Sequence, residues 1–328
     1  MHPAFSVIFL TTLIGVGQGL FLALYTGQVY SLVNLLPAQD HRWFYGLGSA
    51  IALAFLLAGL FASFFHLGHW ERAWRAASRW RTSWLSREVI ALPALMGALF
   101  LYGVLHFFSW DPVLFHLPGS IEVSLTLVLG AVTTALCFLL FICTGMVYAG
   151  VKFIREWHCS LTVLNYILLG GASGFTMAAA FSAFVGADLV TFYGVWAVIL
   201  TVAAFLTRGG QLVRNARIYG QSLSTPQTAI GVRHPGVAQR SQGFMGGSFN
   251  TREFFHGKSQ TTLDVVTWVF IVLVFPAPIA LIGASYLSSA ELMPLAAFAV
   301  QYLGLLFERW LFFAQATHPQ NLYYRSVA

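Results

Sequence analysis

The chain has 328 residues, of which 58% are hydrophobic and only 9% are charged, 17 as Lys or Arg and 11 as Asp or Glu. Ordinary soluble domains carry about a quarter charged residues, so this composition excludes a soluble globule, and its apolar content excludes a disordered chain. The formal net charge of +6 invites a nucleic-acid function, but in so apolar a chain the basic residues serve to orient it in a membrane. The composition therefore predicts a polytopic membrane protein with no nucleic-acid partner.

Apolar runs long enough to cross a bilayer recur along the chain. A spanning helix needs about 20 predominantly apolar residues, and short polar stretches separate eight such runs. They are Phe5–Leu36, Phe44–Leu67, Val89–Trp110, Glu122–Tyr148, Leu161–Val185, Leu189–Leu206, Leu263–Tyr286 and Leu292–Phe313. The sequence predicts an all-α fold, with a single transmembrane domain over residues 1–328 that forms a bundle of eight helices.

The distribution of Lys and Arg predicts the orientation of this bundle. An even number of spans puts both termini on one side, and we assign Arg42, Arg309 and Arg325 to that side and the other 14 cationic residues to the opposite side. Lys and Arg favour the cytoplasm during insertion. This assignment predicts a cytoplasmic face with a net charge of +9, an outer face of −3, and both termini on the periplasmic side of a bacterial inner membrane.

A polar stretch over residues 68–87 predicts an amphipathic segment on the cytoplasmic face. Arg72, Arg75 and Arg79 fall on one side of a helix, and tryptophans recur among them at helical spacing. Tryptophan prefers the headgroup level of a bilayer, which is typical of an interfacial helix. The three arginines either anchor this segment to anionic lipid or dock an acidic partner protein, and the pattern favours neither.

A second polar stretch, residues 207–262, predicts a long cytoplasmic loop. It is rich in Gly, Ser, Gln and Arg, too polar to cross the bilayer and too short for a sizeable domain. Its HGKS at His256–Ser259 resembles the end of a phosphate-binding loop. Arg252 stands where that motif requires glycine, so we expect no such site here.

The cysteines and histidines predict no metal site within this chain. Cys137 and Cys143 lie inside the fourth span and Cys159 lies at its inner interface, with no C-x-x-C pair to hold an iron–sulfur cluster. A b-type haem needs two histidines at the same depth on facing helices, whereas His66 and His106 lie near opposite ends of their spans. We therefore expect no haem, and a haem b-binding protein remains an alternative.

The polar groups inside the spans are predicted to hold helices together rather than to take part in a reaction. The amides Gln18, Gln28, Asn165 and Gln301 are expected to form hydrogen bonds between helices, as is His106. Two glycine pairs, Gly15-x-x-x-Gly19 and Gly170-x-x-x-Gly174, allow helices to approach closely.

His66 and Glu88 form a pair that is a candidate for chemistry rather than for helix packing. His66 closes the second span and Glu88 opens the third, so both lie near the same membrane surface if these consecutive helices are neighbours. A histidine and a carboxylate there could bind a quinone carbonyl and relay its protons. The competing interpretation is an interfacial ion pair of Glu88 with Arg81 or Arg87. Spacing alone leaves the two interpretations about equal.

At these residues the sequence resembles a known family. The segments are HLGHWERAWRAASRWRTSWLSREV from His66, HPAFSVIFLTTLIGVGQGL at the amino terminus, REWHCSLTVLNYILLGGASG from Arg155, and FERWLFFAQATHPQNLYY from Phe307. Over essentially the whole chain they resemble the membrane-anchor subunit of dimethyl sulfoxide reductase-type complexes, and within it the branch that serves sulfite dehydrogenase. His69 and Trp70 depart from the Arg-Pro of many relatives, which affects the local turn.

The resemblance implies an anchor domain of eight transmembrane helices with two partners, a four-cluster iron–sulfur subunit and a molybdopterin-containing catalytic subunit. It also implies that the histidine and glutamate tied to quinol binding fall on His66 and Glu88. We therefore expect a quinone-reactive anchor, using menaquinone or ubiquinone. Arg81 and Arg87 are expected to orient Glu88 or acidic groups of the partner, and Arg72, Arg75 and Arg79 to dock it. Two further hypotheses compete with this expectation, namely a structural anchor without a quinone site and a membrane transporter.

Overall fold

The computed structural model describes residues 1–117, 121–218, 225–240, 253, 255–288, 292–319 and 321. Ten α-helices are present in this part of the chain, and together they supply eight segments long and apolar enough to cross a membrane. They are α1 (Phe5–Leu32), α2 (Leu47–Ser63), α3 (Trp84–Phe107), α4 (Leu125–Ala149), α5 (Ser160–Val185), α6 (Val190–Ile218), α7 (Pro226–Ile230), α8 (Gln260–Val274), α9 (Pro276–Ser288) and α10 (Leu292–Ala314). The predicted eight-span helical membrane protein is confirmed.

The second and seventh spans are composite helices. A π-helical turn, His41–Gly46, leads into α2, and a 3₁₀ turn, Phe64–His66, follows it. The seventh span changes from α8 to α9 at Phe275, because Pro276 has no amide hydrogen to continue the helical ladder. Sequence periodicity does not distinguish these breaks from a continuous apolar run.

The sixth span differs most from its predicted end. The sequence places the start of the long loop at residue 207, yet α6 runs on to Ile218. Its extra turns carry Arg208 and Gln211, which are buried against neighbouring helices, so the helix keeps a packed face where composition predicts a loop. Arg208 and Gln211 are therefore interior groups rather than loop residues.

Among the described residues, a two-stranded hairpin is the one β-structure, and the all-α prediction omits it. Strand β1 (Val113–Leu117) pairs antiparallel with β2 (Ile121–Ser124), with His116 opposite Glu122. Ser124 then caps α4 by accepting a hydrogen bond from the amide of Leu127, so α4 begins three residues later than predicted. The hairpin joins the third and fourth spans outside the helical bundle.

The centre of the bundle is the crossing of α1 with α5. A methyl group built on Gly174 would overlap the backbone of Gly19 and Leu20, and one built on Gly19 would overlap the carbonyl of Gly170. The two backbones are therefore in direct contact, which only glycine permits. The predicted role of both glycine pairs in close helix approach is confirmed.

The amino terminus and the carboxy-terminal end of α10 lie at one end of the bundle, here called the terminal face. The backbone nitrogen of Met1 donates to the carbonyl of Ala316 at 2.7 Å, and that of His2 donates to Glu253 at 2.7 Å. The indole of Trp157, between the fourth and fifth spans, donates to the carbonyl of Phe312 at 2.9 Å. The loops after the fourth and sixth spans therefore share this end with the termini.

This arrangement corrects the predicted sorting of charges. In a bundle of eight spans every second loop returns to the side of the termini, so the arginine-rich loops cannot lie opposite them. Arg208 and Arg309, which the sorting separated, meet the same carboxylate of Glu308. Chain order now assigns 16 of the 17 cationic and six of the 11 acidic residues to the terminal face, which gives it a net charge of +10. The opposite face keeps one cationic and five acidic residues, a net charge of −4.

Candidate functional site

Glu88 lies in the first turns of α3, close to the terminal face. Ser83 caps this helix by accepting a hydrogen bond from the amide of Ser86. The half-buried Glu88 carboxylate accepts a hydrogen bond from the hydroxyl of Thr144 on α4, with an Oγ1 to Oε1 distance of 2.6 Å. The carboxylate is thus fixed inside the bundle near its end.

A cavity of about 30 Å³ lies between α1, α3, α4, α5 and α10, and both polar and apolar side chains line it, Glu88 among them. One water needs roughly 10–15 Å³ of such space, so the cavity holds about two water molecules and excludes a quinone ring. Its polar lining consists of Thr11, Thr12, Gln18, Glu88, Thr144, Tyr166, Ser173 and Arg309. These groups can order water and pass protons along it.

His66 lies outside this cavity. It ends the 3₁₀ turn that follows α2, is exposed, and stands beside the exposed rings of Phe61, Phe64 and Phe65. It makes no hydrogen bond to Glu88 in the part of the chain that the structure describes. The imidazole is therefore presented on an apolar aromatic surface at the terminal face, while Glu88 faces inward.

Arg87 is held by the turn that precedes α3. Its Nε donates to the carbonyl of Trp80 and its Nη2 to that of Arg81, both at 2.9 Å, and its guanidinium lies over the ring of Trp84, 4.2 Å from the centroid. Among the described residues Glu88 forms no ion pair with Arg81 or Arg87. The structure therefore favours neither the competing ion pair nor a direct role of Arg87 in orienting Glu88.

The amphipathic segment is a 3₁₀ helix, Trp70–Arg79, rather than the predicted α-helix. A 3₁₀ helix has three residues per turn, so Arg72 and Arg75 share a face and Arg79 is displaced from them. The three tryptophans Trp70, Trp74 and Trp80 are all more than half exposed. The segment is an open surface of indole rings and guanidinium groups beside His66.

The intramembrane amides join helices, as predicted. Gln18 donates to the carbonyl of Cys137 at 2.8 Å, and Gln28 donates to Thr126 at 2.8 Å. Asn165 donates to Gln211 at 2.7 Å, and Gln301 donates to Thr201 at 3.1 Å.

His106 contacts another histidine, a pairing that the sequence pattern does not predict. Its Nδ1 lies 3.0 Å from that of His41, at the face opposite the termini, and the rings are stacked with centroids 5.0 Å apart. His41 lies in the turn that precedes α2, outside the predicted second span, which explains why the pair was missed. Two imidazoles in direct contact leave no space for a porphyrin between them.

A buried ionic cluster between α6 and α10 is a second feature that sequence reasoning missed. Arg208, Glu308 and Arg309 are only 1%, 0% and 4% exposed. Arg208 Nε lies 2.7 Å from one carboxylate oxygen of Glu308, and Arg309 Nε donates to the other. The signal was available, because Glu308 and Arg309 are adjacent ionisable residues inside a predicted span.

Neutral side chains surround this cluster. Arg208 Nη1 donates to the amide oxygen of Gln211 at 2.8 Å, and Gln211 Nε2 donates to Thr162 at 2.9 Å. The guanidinium of Arg309 lies over the ring of Tyr166, 4.3 Å from its centroid. The cluster therefore ties α5, α6 and α10 together, and Arg309 connects it to the cavity that Glu88 also lines.

Comparison with known proteins places this site in a family. The family model of the DMSO reductase anchor subunit (DmsC) matches residues 1–242, which include Glu88, Thr144 and Tyr166. The chain belongs to the DMSO reductase anchor subunit family. The family resemblance stated from the sequence is confirmed.

A curated relative extends the match to the rest of the anchor subunit. The C subunit of the sulfite dehydrogenase of Allochromatium vinosum is 60% identical over 328 residues, the full length of both chains. The anchor subunit is thus a multi-pass membrane protein that serves a multi-subunit oxidoreductase, with catalytic and electron-transfer partners. The aligned length includes Arg208, Glu308 and Arg309, of which the last two lie beyond the family match.

Proposed function

We propose that this anchor subunit exchanges electrons between a membrane quinone, menaquinone or ubiquinone, and an iron–sulfur subunit docked at its terminal face. The partner carries four iron–sulfur clusters and passes electrons to or from a molybdopterin-containing catalytic subunit. The name of the relative, a sulfite dehydrogenase component, favours sulfite oxidation with quinone as electron acceptor. The observation that carries the proposal is Glu88, hydrogen-bonded to Thr144 at a water-sized cavity near the cationic end of the bundle.

The two predicted site residues have separate roles in this proposal. Reduction of a quinone to a quinol takes two electrons and two protons. His66, on the lipid-facing aromatic surface, donates a hydrogen bond to a quinone carbonyl, and Glu88 delivers protons through the water in its cavity. The small volume of the cavity supports a relay role for Glu88 rather than contact with the quinone ring.

The experiment that tests this proposal compares two activities of the intact complex. One is turnover with quinone, and the other is turnover with a dye that exchanges electrons at the catalytic subunit. Loss of the first activity alone in a Glu88→Gln variant supports the quinone function.

The terminal face is proposed to lie in the cytoplasm of a bacterial inner membrane, because it holds 16 of the 17 cationic residues. A carboxy-terminal fusion to a fluorescent protein that matures only in the cytoplasm is expected to fluoresce. Alkaline phosphatase fused at the same position is expected to be inactive, whereas the enzyme inserted at Asp188, on the opposite face, is expected to be active. The reverse pattern would place the terminal face in the periplasm.

The exposed 3₁₀ segment is proposed to dock the iron–sulfur subunit. Reversing two charges, with Arg72→Glu and Arg75→Glu, is expected to weaken retention of the partner by about tenfold or more, since like charges across an interface are strongly unfavourable. Co-purification from membranes at increasing salt measures this. The matched control, Arg233→Glu with Arg240→Glu, reverses two exposed arginines outside the segment, and equal losses in both variants would contradict the assignment.

A further inference from the structure

The buried ionic cluster of Arg208, Glu308 and Arg309 has an excess of one positive charge. Two guanidinium groups share one carboxylate, and all three side chains are at most 5% exposed. In addition, Arg309 Nη1 has no hydrogen-bond partner among the described residues. An uncompensated charge removed from water is costly, so a second anion close by would stabilise the cluster.

The cavity supplies such an anion. Glu88 and Arg309 both line it, Glu88 from α3 and Arg309 from α10, and Glu88 is the one carboxylate in its described lining. The space between them has room for water, and the hydroxyl-bearing side chains of Thr11, Thr144 and Tyr166 line it together with apolar side chains. In its ionised form Glu88 places a negative charge on the same cavity as Arg309.

Other titratable groups near Glu88 come from each packed helix. Cys143 and Tyr148 lie on α4, Tyr166 lies on α5, and Arg309 with Glu308 lies on α10. Thiol and phenol groups are neutral near pH 7 unless strongly activated. The fixed charges that face Glu88 from the other helices are thus those of the cluster, and its own neighbour Arg87 is occupied by the carbonyls of Trp80 and Arg81.

We propose that Arg309, held in place by Glu308 and Arg208, is a positioning residue that sets the protonation of Glu88 across the cavity. The inference rests on the proposed role of Glu88 as proton relay, which it deepens. The positive charge of Arg309 favours the carboxylate form of Glu88, and the negative charge of Glu308 limits that effect. The relay is thereby held ready to accept and release a proton instead of staying in one form.

Arg309 and Glu308 carry opposite charges, so removing each charge in turn is expected to shift the Glu88 titration in opposite directions. These two directions test the proposal. Arg309→Gln removes a positive charge and is expected to raise the midpoint of the Glu88 titration, while Glu308→Gln removes a negative charge and is expected to lower it. Unit charges about 10 Å apart at an effective dielectric of about 20 shift a titration by about one pH unit. A purely structural cluster gives no reason for shifts of opposite sign.

The measurement is infrared titration of the protonated carboxyl band in the purified complex in lipid nanodiscs, with the band assigned by its loss in Glu88→Gln. Arg217→Gln, which removes an exposed cation from the same end of the bundle, is the matched control and is expected to leave the midpoint unchanged. If Arg309→Gln does not assemble, two other results test the same charges. The midpoint of the Glu88 titration is expected to decrease in Glu308→Gln and to stay unchanged in Arg309→Lys, which keeps the positive charge.

Unchanged midpoints, or shifts of the same sign in both charge variants, would overturn the inference. This failure is distinguishable from failure of the proposed function, because the infrared band reports protonation without turnover. Quinone-linked turnover that survives Glu88→Gln would overturn the relay role even where the band shifts as expected. Opposed shifts together with loss of turnover in Glu88→Gln support both.

Discussion

Glu88→Gln is expected to lower quinone-linked turnover of the complex by about 10²–10⁴-fold, the usual contribution of a positioned general acid or base. Glutamine retains the shape of the side chain and an acceptor oxygen for the hydroxyl of Thr144, but it carries no exchangeable acid proton at the relay position. Turnover with an artificial dye at the catalytic subunit is expected to stay unchanged, because those electrons do not pass through the membrane site.

The control for this variant is Glu122→Gln. Glu122 is an exposed carboxylate in the hairpin on the opposite face, 3.8 Å from His116, and it is far from the cavity in the fold. It is expected to leave both activities unchanged. Full quinone-linked turnover in Glu88→Gln, or parallel loss of both activities, would show that Glu88 is not the relay.

The second large effect is expected from Gly174→Ala, which places a methyl group inside the contact of α5 with α1. The added carbon overlaps the backbone of Gly19 and Leu20, and a backbone cannot rotate away as a side chain can. Forced overpacking costs about 1–3 kcal/mol where the structure can adjust, and we expect at least this destabilisation here. Thermal denaturation of the purified protein in detergent, with the yield of assembled complex, measures it.

Gly283→Ala provides the matched control, since the same substitution is made inside α9. No atom lies within 4 Å of the added carbon there. Alanine is a better helix former than glycine by about 1 kcal/mol, so this variant is expected to be neutral or slightly stabilising. Equal stability of the two variants would contradict the close crossing of α1 with α5.

Much of the fold follows from the sequence because the membrane imposes few solutions. Span length, helical packing by glycine pairs and hydrogen bonding by Gln18 or Asn165 depend on local composition, and all three agree with the structure. The hairpin at Val113–Ser124 pairs residues that are close in the chain, mostly in a connection for which the sequence analysis assigned no element. The extension of α6 to Ile218 depends instead on the packing of Arg208 and Gln211 against distant segments. No local pattern contains that information.

The site was predictable only in part. Spacing and family resemblance single out Glu88, but its inward direction toward Thr144, away from His66, depends on how α3 packs against α4. Arg208 was read as a loop cation and Arg309 as an outer one, because sorting by side takes no account of burial. Their shared partner Glu308 is visible only when α6 and α10 are placed side by side.

The position of both termini on one face also bears on how the chain enters the membrane. With the terminal face in the cytoplasm, the eight spans form four helical pairs, and only the short connections 33–46, 108–124, 186–189 and 289–291 have to be translocated. The charged segments 67–83, 150–159 and 219–259 never cross the hydrocarbon. The insertion machinery therefore moves a single basic side chain, Arg42, across the bilayer, which gives the orientation a strong kinetic preference.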